Sequence, residues 1–392
     1  MPLPSLFIFH CGANTGYAIA PLERLFYEAG LELAEGNPAL IHFAYPDYDR
    51  GQPANLPPEL KNYITFNFRT RDPHEIRELA RYAREKGVRL VMFFDIQPVG
   101  PVFRPLHEAG VKSILGYYGA TISSRMPAWK LALKRLEVAL SRSKIDGLIF
   151  ESQAMADFAI YGRGVPAAMI DVVPLGVDID VFKPRQSDYV HQALEFPRDR
   201  KVVVYSGHME PRKGVRVLVE AAIELLVQRR RSDVCFLLCG NKDDESTPFE
   251  RMYAGLGIDK LIRFGGYRTD LPAVFPSCYC GVIPSTGWDS FTYSSIEMAA
   301  SGLPVVASRL QGLSEAVLDH KTGLLFEPGN SHELADSIEM LLDNPETAAR
   351  YGQEGRRRCE NELNSETHRQ RFVSVLRKRL GLQFKDSAGA SD

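Results

Sequence analysis

The chain of 392 residues is long enough for two domains of ordinary size, and 45% hydrophobic with 24% charged residues suits a globular core in each. The formal net charge of −2 gives no global pull toward nucleic acid or anionic lipid, so any anion site has to be local. No apolar run is as long as a transmembrane helix requires.

The opening MPLPSLFIFHCGANTG lacks the basic start of a signal peptide and reads as a strand entering a glycine loop. Apolar runs predict strands at 6–11, 40–45, 63–68, 89–95, 113–118, 147–152 and 169–175. Helices at 21–34 and 73–87 lie among them, the second ending in Lys-Gly, a C-terminal stop. RMPAWKLALKRLEVALSRSK (125–144) sets Trp129, Leu133, Leu136 and Leu140 on one helical stripe with Lys130 and Lys134 beside it. That stripe either faces the core, with a solvated basic back, or lies on a membrane surface. The charged, proline-bearing stretch 183–200 breaks the alternation and predicts a linker between an N-terminal domain (1–182) and a C-terminal one (201–363). Strands follow at 201–207, 234–240, 261–267, 279–285, 303–308 and 323–328, with helices at 214–231 and 332–344. The last helix, about 364–380, is free to pack on either domain, and SAGASD at the end is expected to fray. Strands alternating with helices imply two α/β domains, each a doubly wound parallel sheet covered on both faces. The six cysteines show no metal-ligand spacing and read as reduced thiols of a cytosolic protein.

In open parallel sheets, ligands sit at the carboxyl ends of strands. Three such turns carry chemistry: CGANTG with Gly12 and Gly16; SGHMEPRKG with His208 and Lys213; and PSTGWDSFTYSS, which leads into a helix containing Glu297. Thr292 and Tyr293 open that helix, where unpaired amides and the helix dipole favour phosphate. Lys213 and His208 supply cationic side chains for a diphosphate. Glu297, roughly 7.5 Å along the axis from Thr292, suits the vicinal hydroxyls of a ribose, and Asp289 suits hydroxyls on the far side of the phosphates. Phosphates between two polyols describe a nucleotide-sugar. Each feature alone has an ordinary reading: a turn glycine, a solvated lysine, a capping aspartate, a glutamate paired with an internal arginine. Their combination and order carry the weight.

PLGVDIDVFKP (174–184), GHMEPRKGVRVLVEAA (207–222), DSFTYSSIEMAASGLPVVASRLQGLSEAV (289–317) and HKTGLLFEPGNSHELADSIEMLL (320–342) together resemble the retaining glycosyltransferases of family 4, over nearly the whole chain. The resemblance implies the GT-B fold, two Rossmann-like domains facing across a cleft, the C-terminal one holding the donor. It implies Glu297 on the donor ribose, Asp289 on the sugar, and the amides of Phe291, Thr292 and Tyr293 on the diphosphate. Lys213 falls at the family's phosphate lysine, Gly12 to Gly16 at the loop approaching the phosphate, and Tyr267 with Arg268 at the nucleobase wall.

Three positions depart from the family pattern. His208 stands where the family usually has arginine, whose charge is permanent as histidine's is not. Asp289 replaces a glutamate, and Tyr118 falls about where the family often has an acceptor-side histidine. The implied reaction moves a sugar from a nucleoside-diphosphate-sugar, a co-substrate, to an acceptor hydroxyl with retained configuration. No metal or other cofactor is required by this scheme. The acceptor is a glycan, a lipid-linked molecule or a small molecule, nucleic acid is not a partner, and the protein is expected in the cytoplasm or at the inner membrane face. The alternative is a catalytically silent relative that binds a nucleotide-sugar or glycan and regulates a partner.

Overall fold

The computed structural model describes residues 2–15, 19–120, 122 and 124–382. They form two compact units: one ends at Val173 and takes back the chain from His368, and the other runs from Pro174 to Thr367. The first unit holds β1 (Ser5–Ile8), β2 (Ile41–Tyr45), β3 (Tyr63–Thr65), β4 (Leu90–Phe94), β5 (Ser113–Tyr118), β6 (Gly147–Phe150) and β7 (Ile170–Val172). All are parallel, in the order β3-β2-β1-β4-β5-β6-β7. The second holds β8 (Lys201–Ser206), β9 (Val234–Cys239), β10 (Ile262–Phe264), β11 (Cys280–Ile283), β12 (Val305–Ser308) and β13 (Gly323–Phe326), parallel in the order β10-β9-β8-β11-β12-β13.

The strands are apolar throughout because both faces of each sheet are covered. Leu6 and Ile8 enter one layer of the first unit while Phe7 and Phe9 enter the other. In the second, Val203 and Tyr205 face one core and Val202 and Val204 the opposite one. In each sheet the winding reverses beside the first strand, between β1 and β4 and again between β8 and β11. The carboxyl ends of those four strands are where such sheets bind ligands.

The boundaries differ from the sequence reading in instructive places. The stretch 183–200 is part of the second unit: Val190 and Phe196 are buried in its core, and the Tyr189 hydroxyl donates to Asp270 at 2.6 Å. Two buried apolar residues anchor a segment whose surroundings are charged, so composition suggested a linker. Between the helices read at 332–344 and 364–380 lies another, Pro345–Asn361. Its Gly352 and Gly355 permit close approach to Gly302 and Ala299: a Cβ on Gly352 would lie 2.1 Å from the Gly302 carbonyl oxygen. Arg356 on this helix donates to the carbonyls of Ile179, Phe182 and Ala300, which fixes the C-terminal end of Tyr293–Ala300.

The final helix, Ser365–Arg379, buries Phe372, Val373 and Leu376 in the first unit, where Phe372 stacks on Phe26 with ring centroids 5.5 Å apart. Lys378 and Arg379 both reach Asp171 at 2.7 Å. The stretch SAGASD lies outside the described residues. The helix Ala128–Leu140 is attached through Leu131 and Val138, so the Trp129 stripe faces solvent and not the core. All six cysteines are free thiols. Among the described residues no helix is long and apolar enough to cross a membrane.

Candidate functional site

The switch point of the second unit gathers most of the residues singled out above. After β8 the chain turns through Gly207 and His208, whose carbonyl accepts the Tyr205 hydroxyl at 2.6 Å. A short 3-10 turn, Pro211–Lys213, ends at Gly214 with φ 70°. A Cβ there would lie 1.7 Å from the Pro284 carbonyl oxygen, so only glycine lets the turn lie against the end of β11. The Thr286 amide donates to the Arg212 carbonyl at 2.7 Å and joins the two turns.

This contact brings Lys213 to Asp289. The Lys213 Nζ is 3.0 Å and 2.9 Å from the two carboxylate oxygens. Asp289 also accepts the Ser285 hydroxyl at 2.5 Å and the Ser290 amide at 3.1 Å, while its own amide donates to Gln311 at 3.1 Å. The carboxylate is 4% exposed and the lysine side chain 15%. Asp289 therefore turns inward to the lysine, because burial of either charge alone would be costly and each supplies the other's partner. The family resemblance implies a sugar contact for Asp289; here both of its carboxylate oxygens accept hydrogen bonds from within the fold.

Beyond Asp289, Phe291 is buried in the core and pins the approach to Tyr293–Ala300. Thr292 is the N-cap and makes no side-chain cap bond. Ser295 Oγ donates back to the Thr292 carbonyl at 2.7 Å. Glu297 is buried at 3% exposure on this helix, one turn further in. His208 is exposed on the β8 side. Sequence reasoning missed Trp288: it is 36% exposed, and the Arg212 guanidinium stacks 4.2 Å from its ring, with Arg212 also paired to Glu210 at 2.7 Å.

The two residues read as a nucleobase wall part company. Tyr267 is 51% exposed, with Lys242 Nζ 5.7 Å from its ring. Arg268 is committed to Asp270, 2.8 Å and 2.5 Å away, and holds that carboxyl below its usual range. Its charge is used inside the fold, which leaves Tyr267 as the open surface of the pair.

In the first unit the corresponding crevice lies at the ends of β1 and β4. Gly12 follows β1, and a Cβ on it would lie 2.3 Å from Asp47 Oδ1. Asn14 holds this loop to the next turn, donating to the carbonyls of Arg50 and Gln52 at 3.0 Å and 2.9 Å. Gly16 lies outside the described residues. Tyr118 is 3% exposed and stacked on Phe150 at 5.0 Å, so it belongs to the sheet's interior and not to an open acceptor surface. Its place at the last position of β5 points the ring into the layer beneath.

Two residues missed by sequence reading stand at that crevice instead. His10 stacks on Phe94 at 4.9 Å, and its Nδ1 is 3.9 Å from Asp95 Oδ2. Asp95 adopts φ 61° and accepts the Gly119 amide at 3.3 Å. Burial pushes the Asp95 carboxyl up to about 7 and the His10 imidazole below its ordinary value. Both directions favour the neutral forms. Among the described residues no group of three His, Cys, Asp or Glu side chains forms a metal site.

Two doubly wound parallel-sheet units of this kind define the GT-B class of fold, and the chain matches solved structures of that class over nearly its full length. Against the Anabaena protein HepE in complex with UDP the TM-score is 0.75 at 19% identity, covering 96% of this chain and 100% of that one. Against a glycosyltransferase from Rickettsia africae it is 0.78 at 17% identity, covering 98% and 100%. Residues 200–344 match the family described as "Glycosyl transferases group 1" and residues 22–181 match "Glycosyltransferase Family 4". The chain belongs to this group 1, family 4 set of glycosyltransferases. A D-inositol 3-phosphate glycosyltransferase of Corynebacterium efficiens is 36% identical over 193 residues, 47% of this chain and 45% of that protein. An MMP alpha-(1->4)-mannosyltransferase of Mycolicibacterium hassiacum is 32% identical over 240 residues, 60% and 55% respectively. The matches thus span about half the length of these curated relatives.

Proposed function

We propose that the protein is a retaining hexosyltransferase that moves a sugar from a nucleoside-diphosphate-sugar to an acceptor hydroxyl. The observation that carries this reading is Lys213, held by a buried Asp289 beside the start of the helix that bears Glu297. The amides of Phe291, Thr292 and Tyr293 and the Lys213 ammonium receive the diphosphate, with His208 at its exposed side. Glu297 accepts hydrogen bonds from the ribose hydroxyls, and Tyr267 offers its ring to the base.

Asp289 acts in this scheme through Lys213: it holds the ammonium in place while both carboxylate oxygens are occupied. As the bond from sugar to phosphate breaks, negative charge grows on the departing diphosphate. Preorganised amides and a fixed cation stabilise that charge more than they stabilise the intact donor. The acceptor hydroxyl attacks the same face and passes its proton to the diphosphate it displaces, so configuration is retained. No metal or further cofactor has to carry a step, since the cation and the amides meet the leaving-group charge. The first unit is assigned to the acceptor, with His10 and Asp95 in the place first given to Tyr118. The acceptor is a glycan, a lipid-linked molecule or a small molecule, and the compartment is the cytoplasm.

A thermal-shift screen of UDP, GDP and ADP and their sugars tests the donor. UDP is the first to try, because HepE, which shares the fold, is captured with it. One base is expected to raise the melting temperature, and the shift is expected to shrink in Lys213→Ala. Release of free sugar from that donor without acceptor distinguishes an enzyme from a silent binder. Turnover should fall at least 100-fold in Lys213→Ala, about 2.7 kcal/mol of lost transition-state stabilisation. Near-normal turnover in that variant would refute the assignment.

A further inference from the structure

The helix Ala128–Leu140 of the first unit is attached along one side and apolar along the other. Leu131 and Val138 are buried, whereas Trp129, Leu133, Leu136 and Leu140 are 64%, 60%, 54% and 72% exposed. At about 100° per residue the four exposed side chains share an arc of roughly 60°, and the buried pair lies about 180° away. They are not the ragged edge of a core stripe. They form a crest about 16 Å long on the outermost line of the helix.

The charge around the crest is basic in a chain whose formal net charge is −2. Lys130 and Arg135 lie on the helix, with Arg125 before it and Arg142 after it. Lys130 rides 5.2 Å over the Trp129 ring, and Arg125 lies 5.7 Å over Tyr161, itself 45% exposed. The helix's acid, Glu137, is neutralised by Arg163 at 3.1 Å and Lys134 at 2.7 Å, which hold its carboxyl down to about 2. Apolar crest, interfacial aromatics and unneutralised basic flanks are the parts of a helix that lies in a membrane interface.

We propose that this helix docks the protein on an anionic lipid surface, with the four apolar side chains at the acyl boundary and Lys130, Arg135 and Arg142 among the headgroups. A second copy of the chain fits the crest less well. Facing copies would set like charges against one another, and a strip one side chain wide is short of the roughly 800 Å² per partner that stable association needs. The contact is peripheral, and it stands or falls independently of the donor site.

The test is sedimentation of the full chain with phosphatidylcholine vesicles and with vesicles of equal parts phosphatidylcholine and phosphatidylglycerol, at low and at raised salt. The protein is expected to bind the anionic vesicles at low salt and to be released as salt rises. Replacing Leu133, Leu136 and Leu140 together by Ser should weaken binding by about tenfold or more without lowering the melting temperature, since those side chains touch no core. Lys130→Gln with Arg135→Gln should weaken binding and flatten its salt dependence. In a Trp288→Phe background, Trp129 fluorescence should shift to the blue on the anionic vesicles alone. Failure to bind at low salt, or binding that the triple Ser variant retains, overturns the proposal. So does a dimer in sedimentation velocity that the triple variant dissolves, which would assign the crest to a second copy.

Discussion

The two sheets wind in the same strand order, yet the crevices at their switch points carry opposite electrostatics. In the second unit a full positive and a full negative charge are buried against each other, Lys213 on Asp289, with the serine and amide donors that such a carboxylate requires. In the first, His10 and Asp95 stand 3.9 Å apart in surroundings that push both toward neutrality. Topology thus places a crevice, and the turn residues decide whether it holds a permanent charge. A diphosphate calls for the first arrangement; hydroxyl groups that exchange protons suit the second.

Removing one partner of the charged pair is the strongest way to break this contrast. Asp289→Ala leaves a buried ammonium and an idle Ser285 hydroxyl, and Lys213→Ala leaves a buried carboxylate. Each should cost about 3–5 kcal/mol in stability. The double variant should be less destabilised than the sum of the singles, because neither charge is then stranded. Turnover should be lost in all three. Thermal and urea unfolding measure the cycle, and simple additivity would show that the pair does not act as a unit.

Two glycines sharpen the comparison at the level of the backbone. Gly214→Ala sets a Cβ against the Pro284 carbonyl oxygen at 1.7 Å and asks alanine to hold φ 70°. A loss of about 2 kcal/mol or more is expected, with weakened nucleotide binding, since the turn carrying Lys213 must move. Gly12→Ala meets the Asp47 side chain rather than backbone and needs no positive φ, and should cost about 1 kcal/mol or less. Equal losses at the two sites would mean that the second turn is not held more rigidly than the first.

Asp95 gives the neutral crevice a pH signature. Its folded-state value, about 7, lies above the ordinary carboxylate range, so the fold favours the protonated acid. Stability contributed by this group is complete below about 4, declines as pH rises to about 7, and is level beyond. His10, shifted down, contributes a slope of the opposite sign below its ordinary value of 6.5. Asp95→Asn should therefore be more stable than the parent at pH 8, by at least about 1 kcal/mol, with the advantage vanishing near pH 4. Melting curves across that range check it, and an advantage independent of pH would remove the neutral-carboxyl reading.

Much of the fold is legible because buried parallel strands leave continuous apolar runs. Each of the thirteen runs read as a strand overlaps one, with ends that drift by a few residues where the chain turns out toward the crevices. The helix Pro345–Asn361 was hidden by its charge and by glycines that serve close packing. The stripe at 129–140 was ambiguous because a spacing of three and four residues is the same whether a helix faces a core or a lipid. At the site, residue types were legible and pairings were not. Lys213 and Asp289 are 76 positions apart, and nothing local announces that each is the other's partner. His10 and Asp95 gave no motif; only the strand order brings the ends of β1 and β4 together.

The smallest effect is expected at His208, which is exposed at the rim of the charged crevice. Its backbone is already fixed by the Tyr205 hydroxyl, so a longer side chain can be added without disturbing the turn. His208→Arg supplies a permanent, forked cation where the family pattern has one, beside the diphosphate site proposed for Lys213. At the surface such a contact is worth about 0.5–1 kcal/mol, or a few-fold in affinity for the nucleoside diphosphate, and it should fade as salt rises. Calorimetry with the diphosphate and with the parent nucleoside separates the outcomes. A gain confined to the diphosphate places position 208 on the phosphates, and an equal gain for the nucleoside would move it to the base.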